Sequence, residues 1–422
     1  MRRFVAVLAA GLFVASASAQ VEVLRATDHC VLPVTAFEAP ASAARTAFPS
    51  APDCVPATEG AVFDVTYDGF PPGAEAAFQA AVDTWSCRVR SDQPIRVLAT
   101  WDQLAPSTLG SAGPFLYRNF DGAPTRDVWY ASALADALTG RDLGADRPDI
   151  EAFFNSDFDD WHFGPGPPPP GDYDLYTVVL HELAHGLGFI GAMTVEGSVG
   201  RIGDDPSGPF SYDLHTQTAT GAPLLDSDRF PDGSVRLGAA LQGEVRFVGR
   251  ATDQVAGTSV PLYSPPQWVQ GGSYSHLSED VYRVNTADGL MTPFIARGET
   301  IAEPGDVVCA VIADVGWSLA GDCAARVGSL PAFDPTLTLE RLGPNPTPGR
   351  TTIRISSEEA VSIEVRLLDV LGRRVAEYGT FVLVGGTARD VVVDGARMGG
   401  GVYFLSVRGG PEPALLPLTV VR

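Results

Sequence analysis

The sequence predicts an α+β protein with a small all-β module behind it, and three observations carry that reading. A strand, an amphipathic helix and several further strands precede residue 160. A helix with enough apolar surface to be buried follows, bounded by Asp172 and Asp174 before it and by Gly186 and Gly188 after it. From about Pro331 the chain breaks into short strands separated by glycine turns. These textures divide the chain into residues 1–19, 20–60, 61–330 and 331–422.

The first segment carries Arg2 and Arg3, an apolar run from Phe4 to Ala15, and Ala17-Ser18-Ala19 before Gln20. This is the anatomy of a secretory signal peptide ending in a small-x-small cleavage site. It is too short for a membrane anchor, and no later stretch is long and apolar enough to span a bilayer. The mature protein is therefore expected outside the cytoplasm, secreted or at the cell surface. Residues 20–60 are rich in Pro, Ala and Ser with little periodicity, as in an extended leader or short propeptide.

Structure is expected to begin with the strand Ala61–Tyr67. Pro71, Pro72 and Gly73 then turn the chain into a helix with Phe78, Val82, Trp85 and Val89 at helical spacing. Strands follow at Ile95–Trp101, Phe115–Phe120 and Val128–Ala131, and Ile150–Phe154 reads as an edge strand. Together they make a twisted sheet whose cleft-facing edge suits addition of an extended peptide by backbone hydrogen bonds. The run GPGPPPPG at 164–171 lacks donors for a sheet and reads as a stiff surface connection, with a partner-binding polyproline site as the alternative.

Acidic residues number 51 against 29 basic, a net charge of −22, which argues against nucleic acid because phosphate binding needs the opposite sign. Asp157, Asp159 and Asp160, or Asp226, Asp228 and Asp232, are candidate calcium ligands, but neither cluster has the spacing of a known loop, and a solvated surface is the plainer reading. Cysteines at 30, 54, 87, 309 and 323 all lie in the exported part, where disulfides persist. Cys309 with Cys323 brackets the end of a helix predicted over 303–317, opened by Pro304 and Gly305. Cys30 with Cys54 would form a second bridge and leave Cys87 buried on a helix; the alternative is a Cys30 or Cys54 thiolate that blocks a metal.

The chemistry lies in HELAHGLGF at 181–189. His181 and His185 are four apart, so a helix projects both from one face and two imidazole nitrogens can reach one zinc ion. Glu182 follows the first histidine directly, which directs its carboxylate toward the open coordination position as a general base for water. A glycine at 188 suits a chain that must turn sharply beneath the metal. A catalytic zinc normally has three protein ligands. The compact pattern would place the third at 191, where this chain has glycine. Of the six histidines, His29 and His162 are poorly placed, His215 sits in an ordered element of the insert, and His276 stands in a loop of small residues 15 before Met291. Glu196 would serve only with a second helix, of which there is no sign.

HELAHGLGF, the distant His276 and Leu290-Met291-Thr292-Pro293 together resemble the metzincin clan of zinc metallopeptidases, in the leishmanolysin-like variant with a long insert before the third histidine. The resemblance covers roughly 60–320. It implies a two-subdomain catalytic unit, His181, His185 and His276 as zinc ligands, Glu182 as general base, and Met291 as the Met-turn residue under the metal. The departure is an insert of 90 residues between His185 and His276, within which 262–268 reads as part of the cleft wall. Tyr274 or Tyr282 is a candidate oxyanion donor, with ordinary packing as the alternative.

In the C-terminal segment Thr351–Ile355, Val361–Leu368, Arg373–Tyr378, Ala388–Val393 and Gly401–Val407 read as strands of a small Ig-like β-sandwich. The motifs LGPNP, VRLLDVLGRRV and GGGVYFLSV, in that order, resemble the C-terminal sorting domain of type IX secretion cargo over 336–422. That resemblance implies recognition by secretion machinery and export across an outer membrane. A carbohydrate-binding or adhesive sandwich is the alternative. The whole reads as a secreted zinc endopeptidase acting on protein or peptide substrates, against a surface adhesin that keeps a zinc-ordered fold without turnover.

Overall fold

The computed structural model describes residues 22–25, 30–38, 54–203, 208–282, 286, 288–328, 337–357, 361–383, 387–409 and 413–421. Residues 1–19, which read as a signal peptide, together with His29 and most of the leader, lie outside them. The architecture is mixed α+β, with several separate sheets.

The largest sheet has eight strands: β1 (Glu22–Arg25), β2 (Cys30–Glu38), β3 (Phe63–Asp68), β4 (Ile95–Asp102), β5 (Thr108–Arg118), β6 (Tyr130–Ala131), β7 (Ile150–Asn155) and β8 (Ile295–Arg297). Its main order is β8-β2-β5-β7-β4-β3, and β1 and β6 also pair with β5. Strands β3, β4 and β7 are mutually parallel, whereas β5 is antiparallel to β7. The edge reading of 150–154 is corrected here: β7 is bonded on both sides, to β4 and to β5. Its alternation of buried Ile150, Ala152 and Phe154 with half-buried Glu151 and Phe153 marks one well-covered face. Such alternation reports the faces of a strand and says nothing of its neighbours in the sheet.

The leader is likewise more structured than its composition predicts. Strand β1 pairs with the end of β5, and β2 pairs with its beginning on one side and with β8 on the other.

Helix α1 (Ala74–Ser86) follows β3 and buries Ala74, Ala77, Phe78, Ala81, Val82 and Trp85, a spacing of three and four that lines one face. That face meets α2 (Leu175–Gly186). The Trp85 indole N–H donates to the Leu180 carbonyl at 2.9 Å, and the Thr84 and Tyr176 hydroxyls lie 2.8 Å apart. All twelve residues of α2 are buried. Asp174 is the residue before the helix, but its carboxylate accepts from the hydroxyls of Thr177 at 2.7 Å and Thr300 at 3.0 Å instead of capping the backbone. The proline run is a closed loop, held at its base where Trp161 and His162 pair with Tyr173 and Asp174.

The insert contains short helices at Val235–Leu241 and Arg250–Ala256, which its turn-rich sequence hides, together with small sheets. Helix α3 (Asp306–Asp314) is shorter than the predicted 303–317 and is fastened by the Cys309–Cys323 disulfide. The second bridge joins Cys54 to Cys87, with Cα atoms 6.1 Å apart, which corrects the Cys30–Cys54 pairing. It ties the chain entering β3 to the end of α1.

Seven strands follow: β9 (Leu337–Arg341), β10 (Arg350–Ser357), β11 (Val361–Asp369), β12 (Arg374–Leu383), β13 (Thr387–Asp394), β14 (Gly401–Arg408) and β15 (Ala414–Val420). They form an antiparallel sheet β9-β10-β13 and a second, β12-β11-β14-β15. Ile353, Ile355, Val391 and Val393 of the first share one apolar core with Ile363, Val365, Leu405 and Val407 of the second. Alternation along the strands supplies that core, which is why β10 to β14 are legible by period two; β9 and β15 are not among the strands predicted from the sequence.

Candidate metal centre

Three histidines from two distant parts of the chain meet at one point. The Nε2 atoms of His181 and His185 are 3.0 Å apart, and that of His276 lies 3.2 Å from each. Among the described residues this is the one group of three or more ligand-type side chains whose atoms converge closely enough to hold a metal ion. His215 is elsewhere, its ring stacked on Phe247 and its Nδ1 at 3.0 Å from the Val248 carbonyl. Glu196 sits on an exposed hairpin beside Arg201. Of the six aspartates proposed for calcium, three are engaged elsewhere: Asp160 with Arg297, Asp228 with Arg389, and Asp232 with the Ile202 amide.

Each ring is oriented from behind. Nδ1 of His181 donates to the Leu290 carbonyl at 2.6 Å, that of His185 to the Phe189 carbonyl at 2.7 Å, and that of His276 to the Gly272 carbonyl at 2.8 Å. A carbonyl only accepts, so every Nδ1 carries the proton and every Nε2 presents a lone pair. Burial holds all three imidazoles neutral: His181 is lowered to about 4, and His185 and His276 fall well below the ordinary value, with the neighbouring rings adding to the effect. Three lone pairs about 3 Å apart repel unless a cation lies between them. Tetrahedral zinc with Zn–N of roughly 2.0–2.1 Å needs nitrogens about 3.3 Å apart, close to what these rings offer. The donor set therefore fits a metal ion.

The supporting turns explain how the sequence builds this. Gly188 adopts φ +110°, open to glycine and strained for other residues, and the turn it makes swings the Phe189 carbonyl back onto His185. The LMTP turn serves two ligands: the Leu290 carbonyl holds His181, and the Met291 carbonyl accepts the Leu277 amide at 2.7 Å, next to His276. Met291 itself is fully buried. The contacts at this turn are made by backbone carbonyls, which a reading of the methionine side chain misses.

Asp213 is a further residue that the sequence reading passed over. Its buried carboxylate accepts the amides of Ala192 and Phe210 and the Tyr274 hydroxyl at 2.6 Å. Tyr274, at φ +76°, also meets Thr216 at 2.9 Å. Its hydroxyl is thus committed to bracing the loop that carries His276, and the oxyanion role is corrected accordingly. Gly191, where the compact pattern has histidine, has no space for a side chain: an added Cβ would lie 2.2 Å from the Tyr274 ring. Tyr282 packs half-buried against the core.

Glu182 is fully buried beside the first ligand. Burial raises its carboxyl well above the ordinary range. The Ala112 amide of β5 faces it and eases its charge, but neither oxygen makes a hydrogen bond of good geometry among the described residues. A buried carboxyl so poorly satisfied is costly unless a ligand or cation completes its surroundings.

No protein-family model matches the chain, and no curated protein does. Solved structures resemble small parts of it. The CARDB domain of a Pyrococcus furiosus protein, in complex with di-metal ions, is 14% identical over 22% of this chain and 95% of that one, with a TM-score of 0.17. A beta-glucosidase from Kluyveromyces marxianus is 12% identical over 21% of this chain and 15% of that one, with a TM-score of 0.15. At such scores neither likeness bears on fold or function, and the geometry of the three-histidine centre stands as the functional observation.

Proposed function

We propose that this chain is an exported zinc-dependent endopeptidase of metzincin type. The observation that carries the reading is the triad itself: three neutral imidazoles with Nε2 atoms 3.0–3.2 Å apart, beside an unsatisfied buried carboxylate. All-nitrogen ligation by three histidines suits zinc, and three neutral ligands leave the ion's charge undiminished. The LMTP turn beneath His181 and the HELAHGLGF helix support the metzincin assignment.

When bound, the ion supplies Lewis acidity, lowering the pKa of water and polarising a carbonyl. The protein's own part falls to Glu182. Its carboxylate takes one proton from water as the oxygen adds to the scissile carbonyl, then delivers that proton to the amine as the C–N bond breaks, and ends ionised as it began. Burial raises its proton affinity above that of an ordinary carboxylate, which favours its taking the proton from water. Asp213 and Tyr274 act as positioning residues for His276.

Export is the second half of the proposal. The signal peptide at 1–19 and the type IX-like motifs of the C-terminal sheets support it. Two disulfides suit an oxidising compartment, and no described helix is long and apolar enough to cross a membrane. The catalytic reading is tested by comparing the wild type with Glu182→Gln on denatured casein. A fall of about 10²-fold or more with metal content unchanged supports it; equal activity, or none in either, favours a binding protein with a metal-ordered fold.

A further inference from the structure

Helix α3 and the residues just after it reach both of the turns that hold the first two histidines. Beyond its end, Trp317 enters the core, where it is buried, and its indole N–H donates to the Leu187 carbonyl at 2.6 Å. Leu187 stands between Gly186 and Gly188, directly before the turn that brings the Phe189 carbonyl to Nδ1 of His185. At the start of α3, the Val307 amide donates to the Asp288 carboxylate at 2.8 Å. Asp288 lies two residues before Leu290, whose carbonyl holds His181. One helix thus touches the supports of two ligands from its opposite ends.

The Trp317 bond falls where the backbone has most need of it. Carbonyls at the end of a helix lack an intrahelical partner, and Leu187, the fully buried residue that closes α2, is out of reach of water. The donor is itself held firmly. Cys309 ties α3 to the helix Gly321–Val327 through Cys323. Residues 318 and 320 bond by backbone to the chain leaving α1, the Arg90 amide to the Ser318 carbonyl and the Ala320 amide to the Arg88 carbonyl, both at 2.8 Å. Trp85 offers a contrast. It makes the same kind of bond to the same helix, at the Leu180 carbonyl, but Leu180 is interior to α2, where the helical ladder already fixes the backbone.

We propose that Trp317 is a positioning residue for the three-histidine centre. Its indole N–H fixes the turn at 186–189, and with Asp288 at the other end of α3 it sets His185 and His181 relative to each other. The effect on affinity rests on reading the three histidines as metal ligands, whereas the hold on the turn is testable without metal.

The test compares full-length Trp317→Phe with Trp85→Phe, since each removes one buried indole donor from a carbonyl of α2 and keeps an aromatic ring. Three quantities are read: zinc affinity in competition with a chelator, the visible spectrum of the Co2+-loaded protein, and hydrogen exchange at 187–189 in chelator-treated protein. Trp317→Phe is expected to bind zinc about 10-fold more weakly or worse, to change the Co2+ spectrum, and to exchange at 187–189 about 10-fold faster. Trp85→Phe is expected to stay within about threefold of wild type in affinity and exchange, with an unchanged spectrum. Should Trp317→Phe not fold, Asp288→Ala, at a half-buried residue, cuts the other end of the brace and is expected to show the same loss of zinc affinity and the same spectral change. Faster exchange in Trp317→Phe, with no metal bound by the wild type, keeps the hold on the turn and overturns the metal reading. Equal losses in the two tryptophan variants, unchanged exchange in Trp317→Phe, or unchanged zinc affinity in Trp317→Phe, or in Asp288→Ala where that variant stands in, overturns the proposal.

Discussion

The Nδ1–H of His181 donates to the Leu290 carbonyl at 2.6 Å, joining the HELAH helix to a turn 109 residues further along the chain. With the Met291 carbonyl holding the Leu277 amide, this turn sets the relative placement of ligands that the sequence keeps far apart. The three-histidine cluster is therefore as much a property of three backbone carbonyls as of three imidazoles, and at metal sites removing such outer support typically costs about 10–100-fold in metal affinity.

Gly188→Ala tests that dependence. The added methyl group has room, with its nearest neighbour 3.7 Å away, so the cost comes from forcing φ +110° on alanine, about 1–3 kcal/mol. Relaxation of the turn withdraws the Phe189 carbonyl from His185. We expect a lower melting temperature and a roughly 10–100-fold weaker zinc affinity in competition with a chelator; unchanged values for both would show that the turn is incidental.

Tyr274→Phe separates bracing from catalysis. Losing the hydroxyl deprives Asp213 of its 2.6 Å donor in a buried site, at a cost of about 1–3 kcal/mol. Thermal denaturation is expected to report that loss, while hydrolysis per folded, zinc-loaded molecule stays within about threefold of wild type. A drop in kcat of the size seen on removing an oxyanion donor, about 10²-fold or more, would restore the role the structure denies it.

Asp136 governs a pH effect outside the metal site. Burial raises its carboxyl to about 7, reinforced by Asp149 and Asp142 and eased by the Leu143 amide and Arg96. In the unfolded chain it ionises near 3.8. The folded state holds the proton more tightly, so the stability contributed by this group is present at low pH and lost as pH rises from about 4 to 7. Asp136→Asn is expected to be more stable than wild type at pH 8 by about 1–2 kcal/mol, allowing for solvent screening, with the difference vanishing near pH 4. Chemical denaturation at both values checks it; an equal difference at each pH contradicts the assignment.

The disulfide pairing is checked by peptide mapping without reduction, which should yield a Cys54–Cys87 linked fragment. On loop length alone, a separation of 33 predicts a loss of roughly 4 kcal/mol when that bridge is removed by Cys87→Ser, against roughly 3 kcal/mol for the separation of 14 at Cys309–Cys323. A linked Cys30–Cys54 fragment would reinstate the other pairing.

What the sequence made legible was local. The HELAH helix, the α1 stripe and the C-terminal strands follow periods of 3.6 or 2 within short windows, and Cys309–Cys323 spans a single helix end. His276 was legible because so few histidines exist and it precedes the LMTP turn. The pairings that stayed hidden are between distant segments. Neither β1 and β2 alongside β5 nor β7 in the interior of its sheet is encoded in the spacing of its own residues. The Pro-, Ala- and Ser-rich composition of 20–60 hid β2, whose Pro33 lies where the register with β5 shifts. Asp213 was hidden for another reason: a lone acidic residue in an acidic chain gives no signal until its buried partners are known.

The claim on which all of this depends is that His181, His185 and His276 hold one metal ion together. Zinc stoichiometry of the purified, zinc-supplemented protein, measured by elemental mass spectrometry beside His276→Ala and His215→Ala, tests it most directly. One zinc per chain in wild type and His215→Ala, and near none in His276→Ala, is the result predicted; zinc retained by His276→Ala, or absent from the wild type, would contradict it.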